Sequence, residues 1–252
     1  MSDVVVVGGG AAGCELAWGL ARRGIPTTLL TTSLDTLYAL PADAWPARPP
    51  SATLWAEVAA EAEDGEGRQR AGPLRRAAKR ELERMPALRV VQSNAVGLLR
   101  TDAGDVGGVR TWEGPPVRAA LTVLAVGSFL GARLTLGPVV EHAGRLSEMA
   151  YDDLRDDLRD AGLRLRHHRV ALAGDGSAPP YAVDHDVVHH AELESLIAGG
   201  RQVAAAGRAR RWRGLWFVGA CTGDVGLEAA AAAGRDLAAY LATVLAPAGS
   251  AG

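Results

Sequence analysis

The sequence predicts an α/β fold built on a buried parallel sheet, and three observations carry that expectation. The chain opens on a continuous apolar, β-branched run, Asp3–Val7, as a strand covered on both faces requires. A glycine-rich turn, a helically spaced segment and a second β-rich run, Thr27–Thr31, follow, completing a βαβ unit. Near the far end the same grammar returns: strand Gly214–Val218, glycine-rich turn Gly219–Gly226 and alanine-rich helix Leu227–Leu245.

The elements between are read in order. Cys14–Arg23 carries Leu16, Ala17, Leu20 and Ala21 at helical spacing and stops at Gly24. Pro41, Pro46, Pro49 and Pro50 make Leu34–Pro50 a loop. Ala52–Glu63 reads as a helix, Asp64–Pro73 as a polar, glycine-rich mobile loop, and Leu74–Met85 as a basic helix. Leu88–Gln92, Ala95–Arg100 and Val106–Trp112 are strand-like, with turns at Gly104–Asp105 and Gly114-Pro115-Pro116. Leu121–Val126 is a further buried strand, ending in the turn Gly127–Gly131. Tyr151–Asp160 is an amphipathic helix ended by Gly162, Leu163–Leu172 a strand, Ala173–Pro180 a loop and Val187–Ile197 a helix. The tail Pro247–Gly252 is expected to fray.

Composition sets the bounds. The 252 residues are 48% apolar and 22% charged, which excludes a disordered chain. No apolar run approaches the roughly eighteen residues of a membrane helix, and no basic n-region follows Met1-Ser2-Asp3. A cytoplasmic protein is expected, with no membrane partner. A net charge of −2 argues against DNA or another polyanion as ligand of the whole chain. Cys14 and Cys221 alone make neither a disulfide scaffold nor a zinc site. Lys79 is the one lysine among many arginines, which reads as coding bias rather than function.

The glycine turns carry the chemistry. Gly8-x-Gly10-x-x-Gly13 sits between strand and helix, where the dinucleotide fingerprint needs it: the first glycine for the tight turn, the second for approach of the pyrophosphate, the third for helix–strand packing. The helix N-terminus then faces the phosphates. A plain NAD site expects an acid at the end of the second strand, but the chain reads Thr31-Thr32-Ser33, with no acid before Asp35. The late turn favours FAD instead. In folds of the glutathione-reductase type a late segment returns to cover the flavin, and an antiparallel meander, here Ala95–Ala119, is inserted before a strand such as Leu121–Gly127. The full expectation is an FAD-binding Rossmann-like fold of that type with a β-meander and a small cap. It forms one discontinuous domain with a core of 1–50, 86–136 and 212–246, a helical excursion at 51–85 and a cap at 137–211.

Four stretches extend this reading: Val6–Glu15; Leu29–Thr36, with its threonine-ended strand; Val123–Gly131; and Gly214–Gly219 with Gly223 and Gly226–Ala231. In them the chain resembles the glucose-inhibited division protein A family, flavoproteins that modify a tRNA uridine, and most closely a short branch that keeps the FAD-binding part. The resemblance implies Gly8, Gly10, Ala12 and Gly13 at the pyrophosphate and Val96 at the adenine, and it matches Ala220 to the position after the late glycine. With their neighbours Ala11, Thr31, Thr32, Ser33, Gly127, Gly219, Leu227 and Glu228 these form the candidate cofactor set. The chain also departs from the family. Tyr38-Ala39-Leu40-Pro41-Ala42 stands where a cysteine-containing Ser-Cys-Asn-Pro segment is expected, and Gly174–Pro180 where a Lys-Thr-Gly-Thr-Pro-Pro segment is expected. The nucleotide-binding insert and the helical C-terminal region have no counterpart. FAD binding carries over; specific tRNA binding by the chain alone does not.

Other residues offer weaker chemistry. The helix dipole would lower the Cys14 thiol pKa, against a plain packing role, and Cys221 would be a redox thiol only if it approached the flavin. His185 and His189 are four apart, near Asp184, Asp186 and His190, but show no third metal ligand, so no metal is expected. Arg68–Arg84, Arg164–Arg169 and Arg208–Arg213 read as solvated faces rather than RNA contacts. Trp45, Trp55, Trp112, Trp212 and Trp216 read as core or flavin-pocket residues. Gly127–Gly131, Tyr181 and Cys221–Glu228 are placed near the reactive end, without an identifiable general base. The expected function is an FAD-dependent oxidoreductase. The alternatives are a non-catalytic FAD or electron-transfer module serving a partner protein, and a subunit in tRNA uridine modification.

Overall fold

In the computed structural model, which describes residues 2–40, 42, 44–46, 48–172, 180–198 and 200–246, Val4–Val7 have no solvent exposure. Their strand, β1 (Ser2–Val7), runs into α1 (Ala11–Ala21) and β2 (Thr27–Thr31). An excursion of β3 (Ala44–Trp45), α2 (Leu54–Ala62), β4 (Gln69–Arg70) and α3 (Ala71–Arg84) leads to β5 (Leu88–Gln92). Next come β6 (Ala95–Arg100), β7 (Val106–Thr111) and β8 (Val117–Leu124). A second sheet and its neighbours follow: β9 (Arg133–Leu136), β10 (Val139–Glu141), β11 (Ala143–Arg145), β12 (Glu148–Met149), α4 (Asp152–Asp160), β13 (Leu165–Leu172) and β14 (Tyr181–Val188). The chain ends through β15 (Leu193–Glu194), β16 (Ile197–Ala198), β17 (Arg201–Gln202), β18 (Ala206–Ala209), β19 (Leu215–Val218) and α5 (Leu227–Leu245).

The main sheet runs β15-β18-β19-β8-β1-β2-β5, with β1 paired in parallel to both β2 and β8. This explains the unbroken valine run. Val4 and Val6 pack in the core beneath α1 and α5, while Val5 and Val7 pack in the core formed with the meander and α4. The strand β8 serves two pairings. Val117 and Arg118 pair antiparallel with β7, whereas Leu121–Leu124 pair in parallel with β1. The meander therefore flows directly into the sheet, and the strand expected at Leu121–Val126 lies at Val117–Leu124. The architecture is α/β, of the Rossmann-like type with inserted meander that the glycine turns predicted.

The helix expected at Cys14–Arg23 begins earlier, at Ala11, and every residue from Ala11 to Ala21 is buried, Glu15 and Gly19 included. The cause is α5, whose small residues lie directly on it. A side chain at Gly234 would meet the Ala12 carbonyl oxygen at 2.3 Å, and one at Gly19 would meet the Ala238 β-carbon at 2.7 Å. Such spacing admits no larger residue.

Other boundaries shift for local reasons. Pro73, read as loop, stands in the first turn of α3, where its missing N–H costs no helix bond. The two-residue pair β3–β4 ties the proline-rich loop to that excursion. The helix expected at Val187–Ile197 does not form. Val187 and Val188 finish β14, which pairs with β13 from Tyr181 to Val188, and a short 3-10 turn at His190–Glu192 then leads into β15. Strand pairing along β13 decides these residues over any helical spacing. The second sheet, β10-β9-β14-β13, is antiparallel throughout. The expectations for 173–179, including most of the Gly174–Pro180 segment, and for the tail 247–252 lie outside the described residues. Among the described residues no helix is long and apolar enough to cross a membrane.

The contact between α1 and α5 makes a quantitative expectation. Gly234→Val should lower stability by about 1–3 kcal/mol, the usual cost of overpacking, read as a drop in the urea midpoint with an unchanged slope. A variant as stable as the parent would show that the two helices can move apart freely.

Candidate functional site

The turn between β1 and α1 is built so that backbone alone fills it. Gly8 has φ +112°, and a side chain there would stand 2.3 Å from the Ala125 carbonyl oxygen. At Gly13 a side chain would lie 2.0 Å from the Gly8 carbonyl oxygen. Gly10 is different. It caps α1 at φ −74°, and nothing lies within 4 Å of where its β-carbon would be. The first amides of α1 therefore start at an open space. Free N–H groups and the positive end of the helix dipole make that space a place for an anion.

Two adjoining cavities lie there, sharing Gly10, Ala125, Gly127, Phe129 and Arg145. The smaller, about 70 Å³, is bounded by the glycine turn, Thr31 and Thr32 at the end of β2, and Arg145, Glu148 and Tyr151. The larger, about 260 Å³, runs from Ala11 and Ala12 past the late turn at Gly219 and Ala220 to Val170, Leu172, Tyr181 and His185 of the second sheet. The late turn reaches α1 directly, since a side chain at Gly219, with φ +81°, would meet the Ala12 β-carbon at 2.9 Å. Both turns follow the carboxyl ends of parallel strands of the main sheet, where open α/β sheets hold ligands. An open cradle at Gly10, hydroxyls at the end of β2 and a long groove toward the late turn fit a dinucleotide with a bulky ring system.

Most of the residues singled out in sequence meet here. Gly8, Gly10, Thr31, Thr32 and Gly127 line the smaller cavity, and Gly10, Ala11, Ala12, Gly127, Gly219, Ala220 and Leu227 the larger. Gly13 lies under the turn as packing. Ser33, Val96 and Glu228 line neither cavity. The Ser33 hydroxyl accepts from the Asp35 amide at 3.2 Å, Val96 belongs to the meander strand β6, and Glu228 is a step of about 100° round the helix from Leu227.

Several lining residues had no sequence signal. The Arg145 Nε donates to Glu148 at 2.5 Å, and the Thr36 hydroxyl donates to the same carboxylate at 3.0 Å. Tyr151 is buried, and desolvation with the nearby Glu148 carboxylate drives its phenol pKa up against a hydrogen bond with Thr32. Arg145 and Glu148 come from a short hairpin, β11–β12, and Tyr151 follows it, all far along the chain from the glycine turn. No local pattern connects them.

Glu15 anchors the turn from behind. Its carboxylate accepts the Tyr38 hydroxyl at 2.5 Å and the backbone amides of Leu54 and Trp55 at 2.6 and 3.0 Å. It thus caps the first amides of α2 from α1. Burial raises its pKa to about 7, opposed by those hydrogen bonds and by Arg235.

Both thiols are structural. Cys14 donates to the Gly9 carbonyl at 3.1 Å, and burial pushes its thiol up, overriding the helix dipole expected to lower it. Cys221 contacts the Leu124 and Val218 carbonyls at 3.3 Å, and burial pushes it up to about 12. Neither lines a cavity. His185 lies on β14 and His189 before the 3-10 turn, so the helical i, i+4 pair does not exist. Among the described residues no group of three or more His, Cys, Asp or Glu is placed to hold a metal. Trp55, Trp212 and Trp216 are buried, but Trp112 is 63% exposed at the end of β7, and none of the tryptophans singled out lines either cavity. The basic stretches are laced with acids: Arg68 pairs with Asp64, Arg80 with Glu61, Arg164 with Glu192, Arg169 with Asp184 and Arg208 with Glu194.

Comparison with known proteins places this geometry. A family model described as "Glucose inhibited division protein A" matches residues 3–60 and 70–174. The tRNA uridine 5-carboxymethylaminomethyl modification enzyme MnmG 1 of Fusobacterium nucleatum is 27% identical over 230 residues, covering 77% of this chain and 35% of that protein. The MnmG of Thermus thermophilus is 31% identical over 191 residues, covering 67% and 32%. The chain thus spans about a third of the length of these curated relatives. Among solved structures, the GidA-related protein from Thermus thermophilus superposes with a TM-score of 0.83 at 38% identity, covering 97% of this chain and 99% of that one. Aquifex aeolicus GidA, at 17% identity and a TM-score of 0.73 over 95% of this chain and 64% of that one, shares the fold.

The buried carboxyl of Glu15 predicts a pH dependence. Its folded pKa of about 7 lies above the ordinary 4.5, so between those values the folded state holds the proton that the unfolded state has lost. Stability should therefore be highest below about pH 4.5 as far as Glu15 is concerned, fall as pH rises toward 7, and level off above it. The span should be on the order of 1–3 kcal/mol. Urea midpoints measured from pH 5 to 8 should slope downward in the parent and lose most of that slope in Glu15→Gln.

Proposed function

The chain belongs to the glucose inhibited division protein A family, whose members are FAD-binding flavoproteins, and on that premise we propose that it is an FAD-dependent oxidoreductase reduced by a separate donor. One observation carries the reading: the two glycine turns, more than two hundred residues apart in sequence, meet at Ala12 and open on one groove. The residues present fit FAD. Gly10 and the first amides of α1 would hold the pyrophosphate. Thr31 and Thr32 would offer hydroxyls to the ribose where NAD folds place an acid. Gly219, Ala220 and the start of α5 would cover the flavin end, and the second sheet would close the groove against water. The segments 1–50, 86–136 and 212–246 would form the FAD-binding unit, decorated by 51–85 and 137–211.

When bound, FAD supplies the electron-transfer chemistry. The protein's share is binding, orientation and exclusion of solvent. Neither cysteine joins in, because both are buried with raised pKa values and donate to backbone carbonyls. A second nucleotide fold for NAD(P)H has no support among the described residues of 133–211, where β9, β10, β13 and β14 form an antiparallel sheet rather than a βαβ unit. Hence a partner protein or another small donor supplies the electrons. The names of the larger relatives motivate a second reading, in which this chain is the flavin-bearing subunit of a tRNA uridine-modifying assembly and other chains supply the RNA contacts.

The groove makes two predictions. The purified protein should be yellow with non-covalent FAD, and Gly10→Val should be colourless yet melt at nearly the temperature of the parent apoprotein, because its side chain enters open space that the pyrophosphate needs. Gly13→Ala should instead lose the fold. A Gly10→Val protein that still takes up FAD would overturn the assignment of the cradle. Further, NADH and NADPH should bleach the flavin slowly and without saturation at micromolar concentration in anaerobic stopped flow, whereas dithionite should bleach it fully. Rapid saturable bleaching by either nicotinamide would place a nucleotide site that this reading lacks.

A further inference from the structure

Among the described residues, buried side-chain polar atoms without a hydrogen-bond partner belong to Arg75, Asn94, Thr122, Arg155, His185 and Trp216. His185 stands apart from the others. Neither of its ring nitrogens has a partner in hydrogen-bond geometry, and it alone of these residues lines a cavity of the site. Its exposure is 1%. Buried polar groups in native proteins are nearly always paired, since leaving one unpaired forfeits its hydration without return. Two orphaned nitrogens on the wall of a ligand groove mark the place of a missing partner.

The surroundings narrow that partner. On the strand pair β13–β14, His167 and Arg169 pair with Asp184 on the outer face. The inner face presents Val170, Leu172, Tyr181 and His185 to the cavity. Asp184 is thus occupied on the other side of the sheet and does not orient His185. His168 sits opposite His185 in register, its ring meeting the His185 ring edge-on at 5.3 Å between centroids. Burial, then His168, pushes the His185 pKa down to about 4; a contact with the Val183 backbone that falls outside hydrogen-bond geometry, and Asp184, oppose this less. At neutral pH the ring is uncharged, with one donor and one acceptor to satisfy. The Val170 and Leu172 side chains beside it on that wall are apolar, so a partner for the ring has to come from the groove. The pyrimidine edge of a flavin alternates carbonyl acceptors with an N–H donor, which suits a neutral imidazole on either nitrogen.

We propose that His185 is a positioning residue for the flavin, hydrogen-bonding the polar edge of the isoalloxazine ring in the larger cavity. This rests on the reading of the groove as an FAD site. The hydrogen bond orients the ring system from the second sheet while the glycine turn holds the pyrophosphate. Binding is thereby shared between a main-chain cradle at one end and a single side chain at the other.

The test titrates FAD into apoprotein of the parent, His185→Phe and His185→Gln, reading the dissociation constant by flavin fluorescence, the visible absorption maximum, and the melting midpoint of each apoprotein. Loss of one hydrogen bond should raise the dissociation constant about tenfold in His185→Phe and shift the visible band. His185→Gln should recover most of both. The Phe apoprotein should melt no lower than the parent, because the substitution removes two unpaired buried nitrogens. If the Phe protein fails to fold, His185→Ala supplies the same comparison. A Phe or Ala variant with parental affinity and an unshifted band overturns the role of His185 while leaving the FAD site intact. A parent protein that binds no FAD at all overturns the site and the role of His185 together.

Discussion

A backbone oxygen 2.0 Å from where Gly13 would carry a side chain is the contact on which the rest of the molecule depends. It lets α1 begin hard against the end of β1, with its first amides directed at the groove. Small residues then propagate the closeness outward. The Ala12 carbonyl lies 2.3 Å from the vacant side-chain position of Gly234 in α5, and the Ala12 methyl 2.9 Å from that of Gly219 in the late turn. One alanine thus stands between the opening turn, the closing turn and the covering helix. The cofactor cradle is a by-product of packing three backbones as near as backbones can come. A larger residue at any of these points would separate the two halves of the site.

Stability and binding are separable within this cluster. Gly8 and Gly13 are filled by neighbouring backbone, whereas Gly10 faces empty space. Beneath them Glu15 trades hydration for three hydrogen bonds, tying α1 to Tyr38 and to the first amides of α2. That arrangement fixes the proline-rich loop against the turn, since the Tyr38 amide also donates to the Gly9 carbonyl at 2.9 Å. A carboxyl raised to about 7 by burial is a cost the fold bears for this brace. Tyr38 is therefore held by a buried hydrogen-bond network, and neither Cys14 nor Cys221 lines the groove.

Legibility in the sequence followed the range of the forces involved. The strands β1, β2 and β5 and the helix α5 were readable because burial on both faces, glycine stops and alanine-rich spacing are local signals. The helix Leu227–Leu245 has the bounds its spacing predicts. Of the elements that exist only by pairing, β6, β7 and β13 were readable but others were not. The strand β9 offers four residues, and β14 mixes Asp184, His185 and Asp186 with valines, so neither shows an apolar run. At Val187–Ile197 a helical reading yielded to the ladder with β13. The site divides the same way. Its glycine cradle is a local motif, whereas Arg145, Glu148, Tyr151 and His185 arrive through a hairpin and a sheet whose positions depend on distant partners.

This division has a chemical consequence. Main-chain amides and glycine gaps at the Gly10 end of the groove depend on the turn geometry and would serve any chain with the same turn. The opposite wall is the inner face of β13 and β14, where alternate residues point into the groove and their neighbours bind one another outside as Arg169–Asp184 and His167–Asp184 pairs. Changing an inward residue on those strands alters the wall without disturbing the ion pairs behind it, because the two sets lie on opposite faces of one sheet. The cradle is thus constrained by gaps in which an added β-carbon would stand 2–3 Å from its neighbours, while the opposite wall is constrained mainly by alternation. A groove built this way can hold its cradle fixed while the inward residues of the opposite wall, His185 among them, are exchanged.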